Sequence, residues 1–303
     1  MAPDWPDFND LWDYNDPAET ERVFRRILSD AASSDDGYCL QLKAQIGRTL
    51  GLHGRFEEAH AILDEVEREM AGNDIVEVRY LLERGRAFSS DKRPEEAVPL
   101  FLRSFEIAKE IAADFYAVDA LHMLGIVAET AEERMDWNLK AIDYAKASNQ
   151  ERANGWLASL YNNTAWGLFD DERYEEALDL FRQAQKLQEA GGDERLIGIA
   201  RWCVAKTLRM MGRIEEGLEI LWELEAEGKD DGFTEEEIGE CFLALGNVEA
   251  ARPYFQLAYD LLSQIDWVAE DTERMERLKS LAAPNPNKNP GFFQVVRLTP
   301  TSR

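Results

Sequence analysis

The stretch Gly54-Arg55-Phe56-Glu57-Glu58-Ala59 decides the fold, because close copies of it return along the chain. Each copy has a small or polar residue, a polar residue, an apolar residue, two glutamates and a small residue. The copies are Lys92-Arg93-Pro94-Glu95-Glu96-Ala97, Glu172-Arg173-Tyr174-Glu175-Glu176-Ala177 and Gly212-Arg213-Ile214-Glu215-Glu216-Gly217. A reduced form with one glutamate is Gly246-Asn247-Val248-Glu249-Ala250-Ala251. A phrase that recurs at such intervals indicates a repeat architecture.

Each phrase lies between two segments whose apolar residues have helical spacing, as residues 40–52 and 62–66 do around the first copy. Gly54 suits the left-handed or turn conformation that ends a helix. The acidic pair then falls in the first turn of the next helix, where the helix dipole favours negative charge. The phrase therefore predicts helix, tight turn, helix, and its final small residue lets two helices approach closely.

The repeats resemble the tetratricopeptide repeat family, whose second helix carries a small residue and a large apolar residue four positions later. The matching pairs are Ala59 with Leu63, Ala97 with Phe101, Ala177 with Phe181, Gly217 with Leu221, and Ala251 with Phe255. The family's Leu-Gly dipeptide of the first helix appears as Ile46-Gly47, Arg84-Gly85 and Leu124-Gly125, with Ala165 and Ala205 at the glycine position in the fourth and fifth repeats. The resemblance implies an all-α protein: an α-solenoid, wound as a right-handed superhelix, of about six helix pairs with capping helices at both ends.

The small-residue markers stand at positions 59, 97, 134, 177, 217 and 251, which are 34 to 43 residues apart. Most of these intervals exceed the family's usual period of about 34 residues. The third repeat departs further, since Arg134 replaces the small residue and its turn is about three residues short. Long repeats of this kind are similar to those of kinesin light chain and of bacterial regulatory solenoids that bind peptides, so we identify a bacterial-type, long-repeat member.

Four segments follow from these patterns. Residues 1–37 form an N-terminal segment with a capping helix, residues 38–265 the repeat array, residues 266–283 a C-terminal capping helix and residues 284–303 a tail. The capping residues Asp16-Pro17-Ala18-Glu19 predict that the first helix runs from about 17 to 31. The last helix is predicted over 267–283, with Met275 and Leu278 facing inward and a polar outer face, as a terminal repeat requires.

The tail is rich in Pro and Asn, and its only charged residues are Lys288, Arg297 and Arg303. We expect it to be disordered. An alternative is that this basic, partly apolar tail docks on its own acidic solenoid and competes with partners.

Composition excludes several classes of function. With 34 Lys plus Arg against 60 Asp plus Glu, the net charge of -26 repels nucleic acid and anionic membranes. No run approaches the roughly 20 apolar residues of a membrane span. Cys39, Cys203 and Cys241 form no C-x-x-C pair, which favours a reducing compartment, so a cytoplasmic location is expected.

No catalytic constellation is evident. His53, His60 and His122 do not form a ligand pair on one helical face with a nearby Cys or Asp. There is no phosphate-binding glycine loop and no G-x-S-x-G sequence. We therefore expect no enzyme activity, no metal site and no cofactor.

In the family, ligands lie along the concave face formed by the first helices, at positions that flank the Leu-Gly dipeptide. Carried over to this chain, the candidate residues are Gln45, Arg48, Arg79, Arg86, His122, Asn162, Asn163, Trp166, Trp202, Lys206 and Arg209. Glu83 is the one acidic residue at these positions. The cationic excess predicts recognition of an extended acidic peptide or a C-terminal carboxylate. The alternative is that these Arg and Lys residues pair with neighbouring glutamates and that the tryptophans lie between repeats.

These observations predict a non-catalytic scaffold that binds a protein or peptide. The alternative function is a regulator that responds to a peptide or small ligand and controls partner access through its superhelix or its tail. Arg48 and Arg86 stand where the carboxylate clamp of chaperone-binding repeats requires Asn, so a chaperone adaptor is not expected.

Overall fold

The structure is a computed structural model that describes residues 5–14, 16–31, 36–70, 72–228 and 231–284. The described residues contain helices and turns and no strand, which confirms the predicted all-α class. The chain divides into two units, an N-terminal half (residues 1–167) and a C-terminal half (residues 168–303). The predicted tail, apart from Pro284, lies outside the described residues.

The N-terminal half begins with a 3₁₀ turn, and its α-helices then follow in close succession. The turn is Phe8–Leu11, and the helices are α1 (Pro17–Ala31), α2 (Asp36–Leu52), α3 (Phe56–Glu69), α4 (Asp74–Ser90), α5 (Pro94–Glu110), α6 (Asp114–Val127), α7 (Ala131–Ala147) and α8 (Glu151–Asn154). Helix α9 (Leu157–Asp170) crosses the boundary between the halves.

The C-terminal half continues the series of helix pairs. Its helices are α10 (Tyr174–Gly191), α11 (Glu194–Met210), α12 (Ile214–Ala226), α13 (Gly232–Ala244), α14 (Val248–Leu262), α15 (Asp266–Ala269) and α16 (Thr272–Ala282). The described chain thus contains the six predicted repeats, with first helices α2, α4, α6, α9, α11 and α13. The α-solenoid class predicted from the phrase is confirmed.

The two helices of a repeat pack by placing a large side chain opposite a glycine. A Cβ atom added at Gly85 of α4 would lie 2.5 Å from the ring of Phe101, which is fully buried on α5. A Cβ at Gly239 of α13 would lie 2.9 Å from the buried ring of Phe255. Because such a contact is closer than van der Waals packing allows, the first helices of these two repeats need a glycine where the aromatic ring of the second helix inserts.

The fifth repeat reverses the order of its small residues. Its first helix has Ala205 at the glycine position, and its second helix has Gly217 at the marker position. A Cβ atom at Gly217 would lie only 2.9 Å from the carbonyl oxygen of Ala205. The close approach of the two helices is therefore preserved, because the methyl group is on the first helix and the glycine is on the second.

The turns within the repeats share one backbone form. Gly54, Gly212 and Gly246 have φ of 69°, 76° and 74°, and Lys92 and Glu172 adopt φ of 60° at the corresponding position. The residue that follows donates its N–H to a carbonyl five residues earlier, as Arg55 does to Leu50 at 2.9 Å. This pattern closes the first helix as a Schellman-type cap.

An arginine in the phrase pairs with the second glutamate, a feature that the sequence interpretation missed. The pairs are Arg55 with Glu58, Arg93 with Glu96, Arg173 with Glu176, and Arg213 with Glu216, with guanidinium nitrogen to carboxylate oxygen distances of 2.5 to 2.7 Å. These hydrogen bonds lower the pKa of the Glu58, Glu176 and Glu216 carboxyls. The second glutamate of the phrase thus interacts favourably with the dipole of the helix in whose first turn it lies and with the arginine three residues before it.

The third repeat has a different entry into its second helix. Thr130 and Glu133 form a capping box at the start of α7, with the Glu133 N–H donating to Thr130 Oγ1 at 3.1 Å. Asn138 takes the place of the large apolar residue opposite Gly125. The short turn predicted for this repeat is not seen, because three residues join α6 to α7, as three join α2 to α3. The repeat is shorter because α6 ends two residues after Gly125, whereas α2 ends five residues after Gly47.

The helix predicted at the N-terminal end of the array is confirmed, and the one predicted at the C-terminal end is not. Helix α1 matches the predicted span 17–31, and Asp16 accepts the N–H of Glu19 at 2.9 Å as expected of an N-cap. The single helix predicted over 267–283 is wrong, because α15 ends at Ala269 and α16 begins at Thr272. Asp271 caps α16 by accepting the N–H of Arg274 at 3.1 Å. Met275 and Leu278 are buried as predicted.

Replacing Gly85 by Ala tests the packing rule. We expect Gly85→Ala to lower the free energy of unfolding by about 1–3 kcal/mol, because the buried Phe101 ring must move. Gly51→Ala is the matched control, since the nearest atom to its added Cβ lies 3.9 Å away and a helical Gly→Ala change stabilises by about 0.5–1 kcal/mol. Urea denaturation of both variants gives the comparison, and equal effects would contradict the rule.

Candidate functional site

A buried carboxylate, Glu83 of α4, organises the first-helix surface of the N-terminal half. Its side chain is 3% exposed and accepts a hydrogen bond from the Gln45 amide of α2 at 2.9 Å. Arg86 approaches it at 3.1 Å and Arg48 at 3.9 Å. Since a buried charge must be paired, Glu83 fixes three of the predicted groove residues in place.

Arg86 extends this network to the next repeat, where it pairs with Asp119 of α6. Burial lowers the pKa of the Arg86 guanidinium, but the carboxylates of Asp119 and Glu83 raise it further, so the net pKa lies above its usual value. A permanently charged guanidinium therefore links α4 to α6.

Arg79 of α4 also reaches α6. It donates to the hydroxyl of Tyr116, and its guanidinium lies 4.8 Å from the centre of the Tyr116 ring. Burial lowers the pKa of Arg79. Arg79, which the sequence predicts to contact a ligand, is therefore buried and packs α4 against α6.

His122 and the two predicted asparagines form a separate polar cluster. The Asn163 amide of α9 lies 3.1 Å from His122 Nε2, and Asn162 donates to Asn163 at 3.4 Å. Burial lowers the pKa of His122. The ring is thus neutral at pH 7 and suited to accept at Nε2. Trp166, on the same helix, is half-buried.

Residues 5–14, which we call the N-terminal arm, lie against α1, α2 and α4. Trp12 donates its indole N–H to Gln45 at 2.9 Å, so it joins the Glu83 network. Phe8 is 4% exposed and lies under the Arg79 guanidinium, 4.4 Å from ring centre to Cζ. A cavity of about 210 Å³ lies among these groups, lined by Trp12, Arg48, Arg79, Glu83, Tyr116 and Arg152, among others.

In the C-terminal half a buried glutamate again pairs with predicted groove residues. Glu237 of α13 is 2% exposed and pairs with Arg209 and, at 3.3 Å, with Lys206, both on α11. Trp202 donates its indole N–H to the Phe233 carbonyl at 3.0 Å. The ammonium group of Lys206 lies 5.0 Å from the centre of the Trp202 ring. The three predicted residues of α11 therefore meet on one surface beside α13.

Two clefts adjoin Trp202 and Phe233. The first, which we call the aromatic cleft, has a volume of about 790 Å³ and is lined by Ile199, Trp202, Phe233 and Trp267, among others. Trp267 is 67% exposed and stacks on Phe233 with ring centres 6.0 Å apart. The second, the charged cleft, has a volume of about 590 Å³, and its lining includes Lys206, Arg209, Glu236, Glu237, Arg274 and Arg277.

The first-helix surfaces do not have the predicted excess of positive charge, because α6 and α13 contribute carboxylates to them. Asp119 and Glu237 neutralise Arg86 and Arg209, and Arg277 pairs with Glu240 at 2.5 Å. The sequence offered a signal for α13, since Gly239 stands 12 residues before its marker, Ala251, as Gly47 and Gly85 do before theirs. The offsets that select Glu83 and Arg86 around Gly85 select Glu237 and Glu240 around Gly239.

Helix pairs with glycine-to-aromatic packing and a charged, aromatic first-helix surface define a tetratricopeptide-type solenoid. The comparisons agree, since residues 157–277 match the family model of the tetratricopeptide repeat. The predicted resemblance is thus confirmed, and residues 157–277 match tetratricopeptide repeats. No curated protein matches the sequence.

Solved structures resemble this chain over most of its length. The apo form of RapI is 14% identical, with a TM-score of 0.71 and coverage of 90% of this chain and 79% of RapI. Aspartyl phosphate phosphatase F from Bacillus subtilis is 16% identical, with a TM-score of 0.59 and coverage of 88% and 74%. NprR in complex with its cognate peptide NprX is 14% identical, with a TM-score of 0.51 and coverage of 90% and 81%. At these identities the likeness shows the fold alone.

No described helix has the length and apolar character needed to cross a membrane. The described part of the chain holds no group of three or more His, Cys, Asp or Glu side chains placed to bind a metal ion.

Neutralising Glu237 tests its role between repeats. We expect Glu237→Gln to lower the free energy of unfolding by about 1.5–3 kcal/mol, because two cations of α11 lose a charged acceptor. Glu223→Gln is the control: Glu223 is 72% exposed and pairs with Arg201, so the cost should be about 0–1 kcal/mol. Similar losses in urea denaturation would show that burial of Glu237 has no energetic consequence.

His122 should make stability depend on pH. Because its pKa is lower in the folded chain, the unfolded chain binds more protons, and stability rises with pH. The contribution is complete above the unfolded pKa of about 6.5 and is lost as pH falls below it. The thermal midpoint should therefore fall less between pH 7.5 and 5.5 in His122→Gln than in the wild type. His53→Gln, at an exposed residue, should follow the wild-type profile.

Proposed function

We propose that the chain is a non-catalytic binding module that holds an extended peptide, or an extended segment of another protein, along its first helices. The aromatic cleft carries this proposal. Trp267 and Ile199 are 67% and 45% exposed beside the half-buried Trp202 and Phe233. Exposed aromatic side chains grouped around a cleft of this volume are typical of binding surfaces.

The adjoining charges favour a ligand that is apolar at this point. Lys206 and Arg209 already pair with Glu237, and Arg274 donates to Glu236 at 3.1 Å. An incoming carboxylate would have to compete with these fixed acceptors. We therefore propose that apolar side chains of the ligand enter the aromatic cleft while Lys206 and Arg209 contact its polar groups at the rim.

The proposal assigns the chain no catalytic role, no cofactor and a reducing, cytoplasmic setting. Among the cysteines, burial raises the pKa of the Cys241 thiol to about 12, which disfavours the thiolate that a nucleophile requires. The similar structures support binding, since one of them contains the peptide NprX bound to NprR. Another is of a protein named as an aspartyl phosphate phosphatase, so assays for phosphatase activity are a direct test of this point.

The regulator hypothesis stays a prediction. The hypothesis depends on a basic tail that docks on the acidic solenoid. Residues 285–303 of that tail lie outside the described part of the chain, so the structure does not test it. A peptide ligand at the aromatic cleft is compatible with either a scaffold or a regulator.

Selection from a random peptide library against the immobilised full-length chain tests the proposal. We expect individual selected peptides to bind the chain in solution, and Trp267→Ala to weaken that binding roughly tenfold or more, because aromatic contacts dominate such interfaces. Trp267 is exposed, so the fold should tolerate the change. Leu257→Ala is the matched control, since Leu257 is 42% exposed on α14, a second helix, and its loss should leave affinity unchanged.

Two outcomes would refute the assignment. One is that no peptide survives selection on a folded chain. The other is that selected peptides bind Trp267→Ala and the wild type equally well.

A further inference from the structure

The N-terminal arm lies on the surface where the family resemblance places a ligand. Trp12 and Phe8 contact Gln45 of α2 and Arg79 of α4, both of which are predicted groove residues. The hydroxyl of Tyr38, also on α2, donates to the Pro6 carbonyl at 2.9 Å. A segment of the chain that contains the Phe8–Leu11 turn thus already occupies part of the first-helix surface of the first two repeats.

The arm is held by guanidinium groups over aromatic rings. Arg48 lies 5.1 Å from the centre of the Trp12 ring and 5.3 Å from that of Tyr14. Arg79 covers Phe8 at 4.4 Å. Because an arginine can pair with a carboxylate and stack on a ring at once, these two arginines can serve Glu83 or Tyr116 and the arm together.

The charge of the arm matches the local cations and opposes the charge of the whole chain. Residues 5–14 contain three Asp and no Lys or Arg, although the chain has a net charge of -26. Asp7 lies 3.6 Å from Arg152, which follows α7 and lines the same cavity as Arg48 and Arg79. An acidic segment stays on an acidic protein here because this surface concentrates arginine.

The contacts are open enough to be exchanged. Tyr14 is 58% exposed, and the Asp7 and Arg152 side chains are each nearly half exposed. Phe8, in contrast, packs against Phe24 with ring centres 6.4 Å apart and is buried. The arm therefore has one anchored ring and a periphery that water reaches.

We propose that the N-terminal arm is an intramolecular ligand of the α2–α4 surface, and that this surface recognises acidic peptides with two aromatic residues four positions apart, as Phe8 and Trp12 are. The inference rests on the proposed binding function and names the ligand class of a second surface. A tethered ligand has an effective concentration of about millimolar, so an external peptide of the same class must compete with the arm.

The probe is a synthetic peptide of residues 5–16, labelled with fluorescein and titrated with the full-length chain while fluorescence anisotropy is measured. The double variant Phe8→Ala, Trp12→Ala weakens the arm and should bind the peptide at least tenfold more tightly than the wild type does. Adding Arg48→Glu to that variant should abolish the gain. A peptide with Ala at positions 8 and 12 should not bind, and Trp267→Ala should behave as the wild type.

A second measurement covers the case in which loss of the buried Phe8 ring unfolds the chain. The wild-type chain is labelled with 5-fluorotryptophan, and the Trp12 signal is assigned by comparison with Trp12→Phe. Millimolar unlabelled peptide should shift the Trp12 resonance toward its position in the free peptide, because the arm is displaced.

Three results would overturn the proposal. They are equal affinity of the peptide for the wild type and the folded double variant, binding that ignores Arg48→Glu, and a Trp12 resonance that excess peptide leaves in place. Each would assign the arm a purely structural role. None affects the aromatic cleft, whose test uses Trp267 in the other half of the chain, so failures of the two proposals are distinguishable.

Discussion

The close approach of the two helices within each repeat is the constraint on which the rest of the structure depends. It requires a small residue at one position of the first helix, which is a glycine where Phe101 inserts opposite Gly85 and an alanine at Ala165 and Ala205. The small marker residues follow from the same closeness, and Ala205 with Gly217 shows that the two helices can exchange which one is smaller. Repeats of different length therefore keep one packing geometry while their turns vary.

This constraint also determines where polar chemistry can lie. Since one side of each first helix is committed to its partner, the residues flanking the glycine face the neighbouring first helix, and charges there need partners on the next repeat. Glu83 receives Gln45 and Arg48 from α2, and Glu237 receives Lys206 and Arg209 from α11. The same side chains that could bind a ligand thus also couple consecutive repeats, so a ligand that rearranged them would alter the contact between repeats.

The sequence predicted the features that local patterns encode and missed those that depend on tertiary neighbours. The recurring phrase located the turns and the markers, and the capping residues Asp16 and Pro17 located α1, because turn glycines, capping residues and helical spacing act over a few residues. Position relative to the glycine, or to the alanine that replaces it, selected residues that lie on the first-helix surfaces, such as Arg48 and Lys206. Their carboxylate partners were missed, because Asp119 lies outside the chosen offsets and Ile238-Gly239 of α13 was not included among the Leu-Gly dipeptides. The docking of the arm could not be deduced, since residues 5–14 have no periodicity and their place is determined by distant contacts.

Net charge alone is a poor guide to what this protein binds. A charge of -26 argues against acidic ligands, yet the arm, which is acidic, lies beside Arg48, Arg79 and Arg152. At an ionic strength of 0.15 M charges separated by more than about 8 Å are largely screened, so the nearest guanidinium groups outweigh the distant carboxylates. In the C-terminal half Lys206 and Arg209 are already matched by Glu237, and aromatic surface distinguishes that site. The two proposals therefore assign the halves ligands of different chemistry, the first through arginine over an aromatic ring and the second through the aromatic cleft.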